Sequence, residues 1–334
     1  MPAPRKFVFR FRSVIAASGG SAFLVGTSDI SEEQDLGVSY LFCWDGRWRS
    51  SSFRGAAIGL CATERQSSIL IADADGIVFH WENDIITPVA VDAGPDGPDT
   101  LGPVREIRWI AGMAYLVGMG RTVYRSQDGT GWDRIDMDVR CADLDPDLEL
   151  EDKLTEDLYG FESIDGFSSQ EIYAAGWNGE LWHYNGVEWR KIVSPTNLAI
   201  YSIICAPDVA VYAVGQAGIV LKGRHDQWRI LIADHTSRDF WDATWFLGHL
   251  YILAGDGLYR MVGDVLEAVE LEFSEMPLTS KKSPIALSSV DANRETIWVA
   301  GKKTIAKSTD GKKWTELPYG NLSASRTTSN EKRD

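Results

Sequence analysis

A short phrase, an apolar run closing on a small turn residue, recurs seven times along the chain of 334 residues. It reads FLVG from Phe23 to Gly26, ILIAD from Ile69 to Asp73, YLVG from Tyr115 to Gly118 and IYAAG from Ile172 to Gly176. VYAVG from Val211 to Gly215, YILAG from Tyr251 to Gly255 and IWVAG from Ile297 to Gly301 complete the set. Each copy has an apolar run before it and a second strand-like run after it. A tight polar turn follows, and then usually a Trp that opens a further run, so the repeating unit holds four strands. The tryptophans Trp48, Trp132, Trp189, Trp228 and Trp314 stand 84, 57, 39 and 86 residues apart. The first and last gaps are double steps, the second is a single step carrying an insertion, and Ile85 and Val265 replace the Trp in the other two copies. Four short strands per period of about 40–45 residues mark a propeller blade, and a strand–helix alternation that would signal a parallel sheet is missing.

The predicted architecture is all-β: a single seven-bladed β-propeller of four-stranded antiparallel blades spanning residues 1–320. The blades fall near 13–53, 59–91, 105–137, 160–193, 201–233, 240–271 and 285–318, and residues 321–334 form a polar tail without apolar anchors. The glycine that closes the second strand is expected to supply a positive φ at a tight strand exit. The repeated tryptophans are expected between blades, because positions that recur in stacked units serve the stacking. The alternating run KFVFRFR, Lys6 to Arg12, either extends the first inner strand or pairs with the last blade to close the ring.

Composition narrows the function. No window approaches the 18 uninterrupted apolar residues of a membrane span, and the N-terminus alternates polar with apolar instead of forming a signal-peptide block, which points to the cytoplasm. Cys43, Cys61, Cys141 and Cys205 form no Cys-x-x-Cys pair, so neither a structural metal nor a redox centre is expected, and no cofactor. A net charge of −15 argues against nucleic acid and leaves basic proteins as partners.

Two turns carry a family pattern, Ser126-Gln127-Asp128-Gly129-Thr130-Gly131-Trp132 and Ser308-Thr309-Asp310-Gly311-Lys312-Lys313-Trp314, with weaker echoes at Asp45-Gly46-Arg47-Trp48 and Asn185-Gly186-Val187-Glu188-Trp189. They resemble the Asp-box turn of BNR-type, WD- and kelch-like bacterial propellers, and the resemblance spans nearly the whole chain as repeats. It implies architecture and leaves function open. In such boxes the Asp ties the turn's own amides, so Asp128 and Asp310 read as structural. Sialidases on this scaffold carry an Arg triad, an Arg-Ile-Pro signature and a Tyr/Glu pair, but Arg10 and Arg12 sit in Phe-Arg-Phe-Arg with no Pro following. The five histidines show no metal-ligand spacing, and no nucleophile elbow, phosphate loop or dinucleotide fingerprint is present, so no catalytic residue is expected.

Charge is distributed by face. Loops joining second to third strands, and loops joining blades, share one face of a propeller, and the elaborated ones are 28–37, 92–104, 143–157, 234–239 and 272–284. They hold 19 acids against four bases, while the rest of the chain is neutral. The densest is Asp143, Asp145, Asp147, Glu149, Glu151, Asp152, Glu156 and Asp157 within fifteen residues. Glu32, Glu33 and Asp35 belong to the same face, as do Asp96 and Asp99. Arg238 and Trp241 are the residue types that anchor interfaces. The expected function is a non-catalytic, monomeric, protein-binding propeller whose acidic face steers and clamps a basic protein partner such as a toxin or effector. Among bacterial proteins the chain looks like uncharacterised propellers, and its acidity, missing catalytic signatures and cytosolic character point to a role as an immunity protein that covers a cationic toxin's active site. The alternative is a sialidase-like glycoside hydrolase or a glycan-binding lectin.

Overall fold

The computed structural model describes residues 8–34, 36–64, 68–91, 97–136, 139, 159–233, 238–271 and 286–319. Seven four-stranded antiparallel sheets follow one another, each with its strands in simple sequential order. The first strand of each sheet faces the axis: Phe9–Ala16, Ala57–Ala62, Val104–Ile110, Phe161–Ser168, Ile200–Cys205, Phe240–Phe246 and Leu287–Ala292. Each contacts the inner strand of the next blade, and the seventh contacts the first, so the ring is closed.

Continuous runs such as Ser68–Asp73, Val211–Gly215 and Ile297–Gly301 are buried at every position, on both faces of the blade, because each face is covered by a neighbour. The buried residues accordingly fall into seven apolar clusters, every one drawn from two adjacent blades. Trp189 and Trp314 are buried in such seams, and Trp48, Trp132 and Trp228 pack against theirs. Trp189 also donates its indole N–H to the carbonyl of Ile135, 3.0 Å away in the preceding blade.

The N-terminal run belongs to the first blade. Phe9–Ala16 pairs along its length with Ala22–Ser28 and touches the last blade's backbone at a single bridge, Arg10 to Lys302. The last blade, Leu287 to Glu316, supplies all four of its own strands, so the ring closes by side-to-side packing without strand exchange. Side chains stitch that seam: Val14 donates its amide to Ser289 Oγ at 3.2 Å and Ala16 to Asp291 Oδ2 at 2.8 Å. The rings of Phe9 and Phe11 pack edge-on against Phe42 and Tyr319.

The glycines closing the second strands have a different reason from the expected one. Gly176 and Gly215 have φ of −173° and −175°, extended backbone open to any residue, and Gly26, Gly118 and Gly301 are likewise outside the positive-φ set. What demands glycine is proximity. A Cβ would stand 2.4 Å from the carbonyl oxygen of Arg10 at Gly26, 1.8 Å from that of Gly160 at Gly176 and 2.0 Å from that of Ala199 at Gly215. Positive φ occurs instead at the polar turns, with Gly129 at 81° and Gly311 at 68°. There Asp310 Oδ1 accepts the amides of Lys312 and Lys313, and Asp128 Oδ1 accepts that of Thr130, each at 2.8 Å. Both aspartates are held below the usual carboxylate range by those hydrogen bonds.

Candidate functional site at the channel mouth

Every inner strand carries a bulge at the same place. Phe11 pairs with Gly26 and Ser13 with Val25, which leaves Arg12 without a partner residue. The same skip leaves out Ile58, Arg105, Glu162, Tyr201, Trp241 and Ser288 in the other six blades. A bulge twists its strand locally and re-aims the extra side chain. All seven bulge residues line one central cavity of about 460 Å³. They lie at the start of the inner strands, which is the face carrying the elaborated loops.

Aromatic and charged groups dominate this mouth. Trp241 is 48% exposed, a large apolar surface to leave in water, and its ring stacks on Tyr201 with centroids 4.7 Å apart and planes 21° from parallel. Trp177 donates its indole N–H to Glu162 Oε1 at 2.6 Å, and the same oxygen stands 3.4 Å from Arg105 Nε. Arg10 and Arg12 both face Glu32, at 3.7 and 3.9 Å. Burial, followed by the nearby charges of Asp239 and Glu162, raises the Tyr201 phenol above its ordinary value.

Below the mouth the lining becomes acidic. The free edge of an inner strand exposes amides that its own blade cannot pair, and acceptors from the preceding blade take them. Glu106 Oε2 accepts the amide of Ile164 at 2.7 Å, Asp165 Oδ2 that of Cys205 at 2.8 Å, and Asp242 Oδ2 that of Val290 at 2.9 Å. Arg108 stands among these groups, 3.7 Å from Asp165 and 4.0 Å from Glu106. Burial pushes Asp242 and Asp291 up to about 6 and Glu106 to about 7, although the amides they accept and Arg108 pull the other way. Arg108 is raised despite its burial because Asp165, Glu106, Asp291 and Asp242 surround it.

The residues singled out in the sequence are distributed as follows. Trp241 is at the mouth. Glu32 and Glu33 sit on a one-turn helix, Asp29–Glu33, capped by Ser28, whose Oγ accepts the Ser31 amide; Glu32 turns to the arginines and Glu33 is exposed. Arg238 donates to the Tyr259 hydroxyl at 2.8 Å, lies over that ring and pairs with Asp256 at 3.3 Å, so it braces its own blade at the same face. Asp99 falls in the short helix Pro98–Leu101. Asp35, Asp96 and the strip Asp143, Asp145, Asp147, Glu149, Glu151, Asp152, Glu156 and Asp157 lie outside the described residues, as does the 321–334 tail. Arg12, Arg105, Glu162, Trp177 and Tyr201 join Trp241 without having been singled out. Aligning the copies on the glycine that closes the second strand puts Arg12, Glu162, Tyr201 and Trp241 in one column, 14 residues before Gly26, Gly176, Gly215 and Gly255, with Arg105 one place off, 13 before Gly118.

No family model matches the chain. It is 34% identical over 303 residues to the immune protein Tsi7 of Pseudomonas aeruginosa, an alignment covering 89% of this chain and 93% of that protein. Among solved structures it is similar to the WD40 β-propeller domain of Doa1, with a TM-score of 0.62 and 11% identity over 92% of this chain and 96% of that one. The extracellular domain of the one component system BT4673 from B. thetaiotaomicron gives a TM-score of 0.61 at 16% identity, over 91% of this chain, which spans 40% of that longer protein. Both likenesses show the propeller fold.

Proposed function

The chain belongs to the family of the immune protein Tsi7, and from that premise we propose that it is a non-catalytic immunity protein that binds and neutralises a basic protein toxin. The loop-rich face is the binding face. The observation that carries this placement is Trp241, which keeps about half of a large side chain in water at the mouth of the central cavity. A half-exposed Trp stacked on a Tyr, with arginines beside it, has the composition of an interface hot spot. The surrounding acids add long-range attraction that speeds encounter with a cationic partner.

A glycan-directed enzyme has less support. Arg12, Arg105 and Arg108 do line the channel, with Tyr201 and Glu162 among them. Each arginine already faces a carboxylate, respectively Glu32, Glu162 and Asp165, which reduces the positive charge left for a substrate carboxylate. The Tyr201 phenol is raised, opposite to the shift that activates a nucleophile.

The test begins with the tagged protein purified from its source cells and the bound protein identified by mass. That partner, produced alone, should arrest growth; produced with this chain it should not, and Trp241→Ala should abolish the rescue. A partner that is harmless by itself, or a rescue indifferent to every substitution at the mouth, would overturn the proposal.

A further inference from the structure

We propose that the central channel receives a single arginine side chain from the tip of a partner's loop, passing the stacked Trp241 and Tyr201 and ending among Glu106, Asp242 and Asp291. The inference rests on the reading of this chain as a protein-binding propeller and goes further, naming the residue that is recognised and where it is held.

Charge complementarity makes the case. At the mouth Arg105 is opposed by Glu162, and Arg10 and Arg12 share Glu32, so most of the rim's charge is already opposed. Beneath it, Glu106, Asp242 and Asp291 line the cavity and, together with Asp165 outside the lining, surround the one cation Arg108; the other polar groups of the lining there are the hydroxyls of Ser13, Ser163, Ser202 and Ser289. Three negative charges are thus in surplus where inner strands wall off most of the solvent. Burial shifts Asp242, Asp291 and Glu106 upward, which means that their ionised forms are short of stabilisation. An arriving cation supplies it. The cavity of about 460 Å³ is open to a long side chain, and sites of roughly 300–1,000 Å³ are the usual size for small ligands.

Arginine fits better than lysine. Its planar guanidinium stacks on aromatic faces and donates to carboxylates in pairs. The entrance offers the exposed ring of Trp241, and the interior offers carboxylates that lead from one inner strand to the next. The bulges have a role in this picture. They turn Tyr201 and Trp241 to the axis while leaving the next residue, Ser202 or Asp242, in register to line the interior.

The experiment uses the whole protein and the capped tripeptide acetyl-Gly-Arg-Gly-amide, with the glutamine analogue as control, followed by the indole N–H resonances of Trp241 and Trp177. Saturable shifts are expected in the millimolar range with the arginine peptide alone. Asp242→Asn with Asp291→Asn keeps an oxygen that can accept the inter-blade amides and should weaken binding by about tenfold. Binding should also tighten from about pH 5.5 to about pH 7.5, as Asp242, Asp291 and Glu106 ionise around a permanently charged Arg108. Equal shifts with the glutamine peptide, no saturation, or a Kd unmoved by both pH and the double substitution would overturn the proposal. Should the double variant fail to fold, Trp241→Ala and the pH series on the wild type decide it. A double variant that loses the peptide yet still neutralises the toxin removes the arginine pocket and leaves the immunity reading standing.

Discussion

Arg121 and Glu180, 59 positions apart in adjacent blades, form a bidentate ion pair with side chains only 2% and 4% exposed. The Arg121 Nε stands 2.8 Å from Glu180 Oε2, its Nη1 reaches the carbonyl of Val139 at 3.3 Å, and its guanidinium lies over the rings of Tyr159 and Trp182. Val139 and Tyr159 are the residues on either side of 140–158, which contains the acidic strip. One buried cation therefore binds two blades and both roots of the most acidic segment.

Removing Arg121 leaves buried Glu180 with Lys191, 3.7 Å away, as a cationic partner, and breaking a buried pair typically costs about 3–5 kcal/mol. Arg121→Met should lower the unfolding free energy from urea denaturation by that much, while Arg121→Met combined with Glu180→Leu should recover a large part of the loss. If the single substitution costs less than about 1 kcal/mol, the pair does not hold the seam.

Gly176 supplies a test of backbone crowding. Its φ of −173° suits alanine, so a purely conformational account expects no penalty for Gly176→Ala. The Cβ would meet the Gly160 carbonyl oxygen at 1.8 Å, and forced overpacking of this kind costs roughly 1–3 kcal/mol or more. At Gly263, where φ is 61° and nothing lies within 4 Å, the cost of alanine should be the smaller backbone term of about 1 kcal/mol. Chemical denaturation of the two variants ranks them, and the reverse order would refute the crowding argument.

The channel carboxylates set a pH dependence whose sign is fixed. Asp242 and Asp291 titrate at about 6 and Glu106 at about 7 in the folded chain, above ordinary values of 3.8 and 4.5. Between those limits the folded state holds more protons than the unfolded one, so stability falls as pH rises from about 4 to about 7. Asp242→Asn with Asp291→Asn should flatten that slope in melting curves. Asp128, Asp310 and Glu171, whose folded values are lowered, act oppositely and withdraw stability only in more acidic solution.

Replacing Asp145, Asp147, Glu149 and Glu151 with Asn or Gln should slow association with the native partner and flatten its dependence on salt, since exposed charges act over a screening length of about 8–10 Å. Stability should move by about 0.5 kcal/mol or less. An unchanged on-rate and salt slope would take the strip out of the docking surface and leave the mouth to carry it.

The sequence by itself determined the propeller, because blade formation depends on local order. Four runs with period two and a turn every few residues repeat seven times, and each run pairs with its neighbour in the chain, so the count of phrases is the count of blades. The turn aspartates Asp128 and Asp310 were legible for the same reason, their partners lying within three residues. Trp241 stood out by type and by its place beside an elaborated loop. Only the tertiary structure decided that Arg12, Arg105, Glu162, Tyr201 and Trp241 form one ring, because they come from five blades and meet through bulges that shift the register by a single residue. It also decided why Gly26, Gly176 and Gly215 are glycines, a matter of how closely one backbone passes another. The shared cause is distance along the chain: what residues do to near neighbours is written in their spacing, whereas convergence on an axis follows from closing the ring.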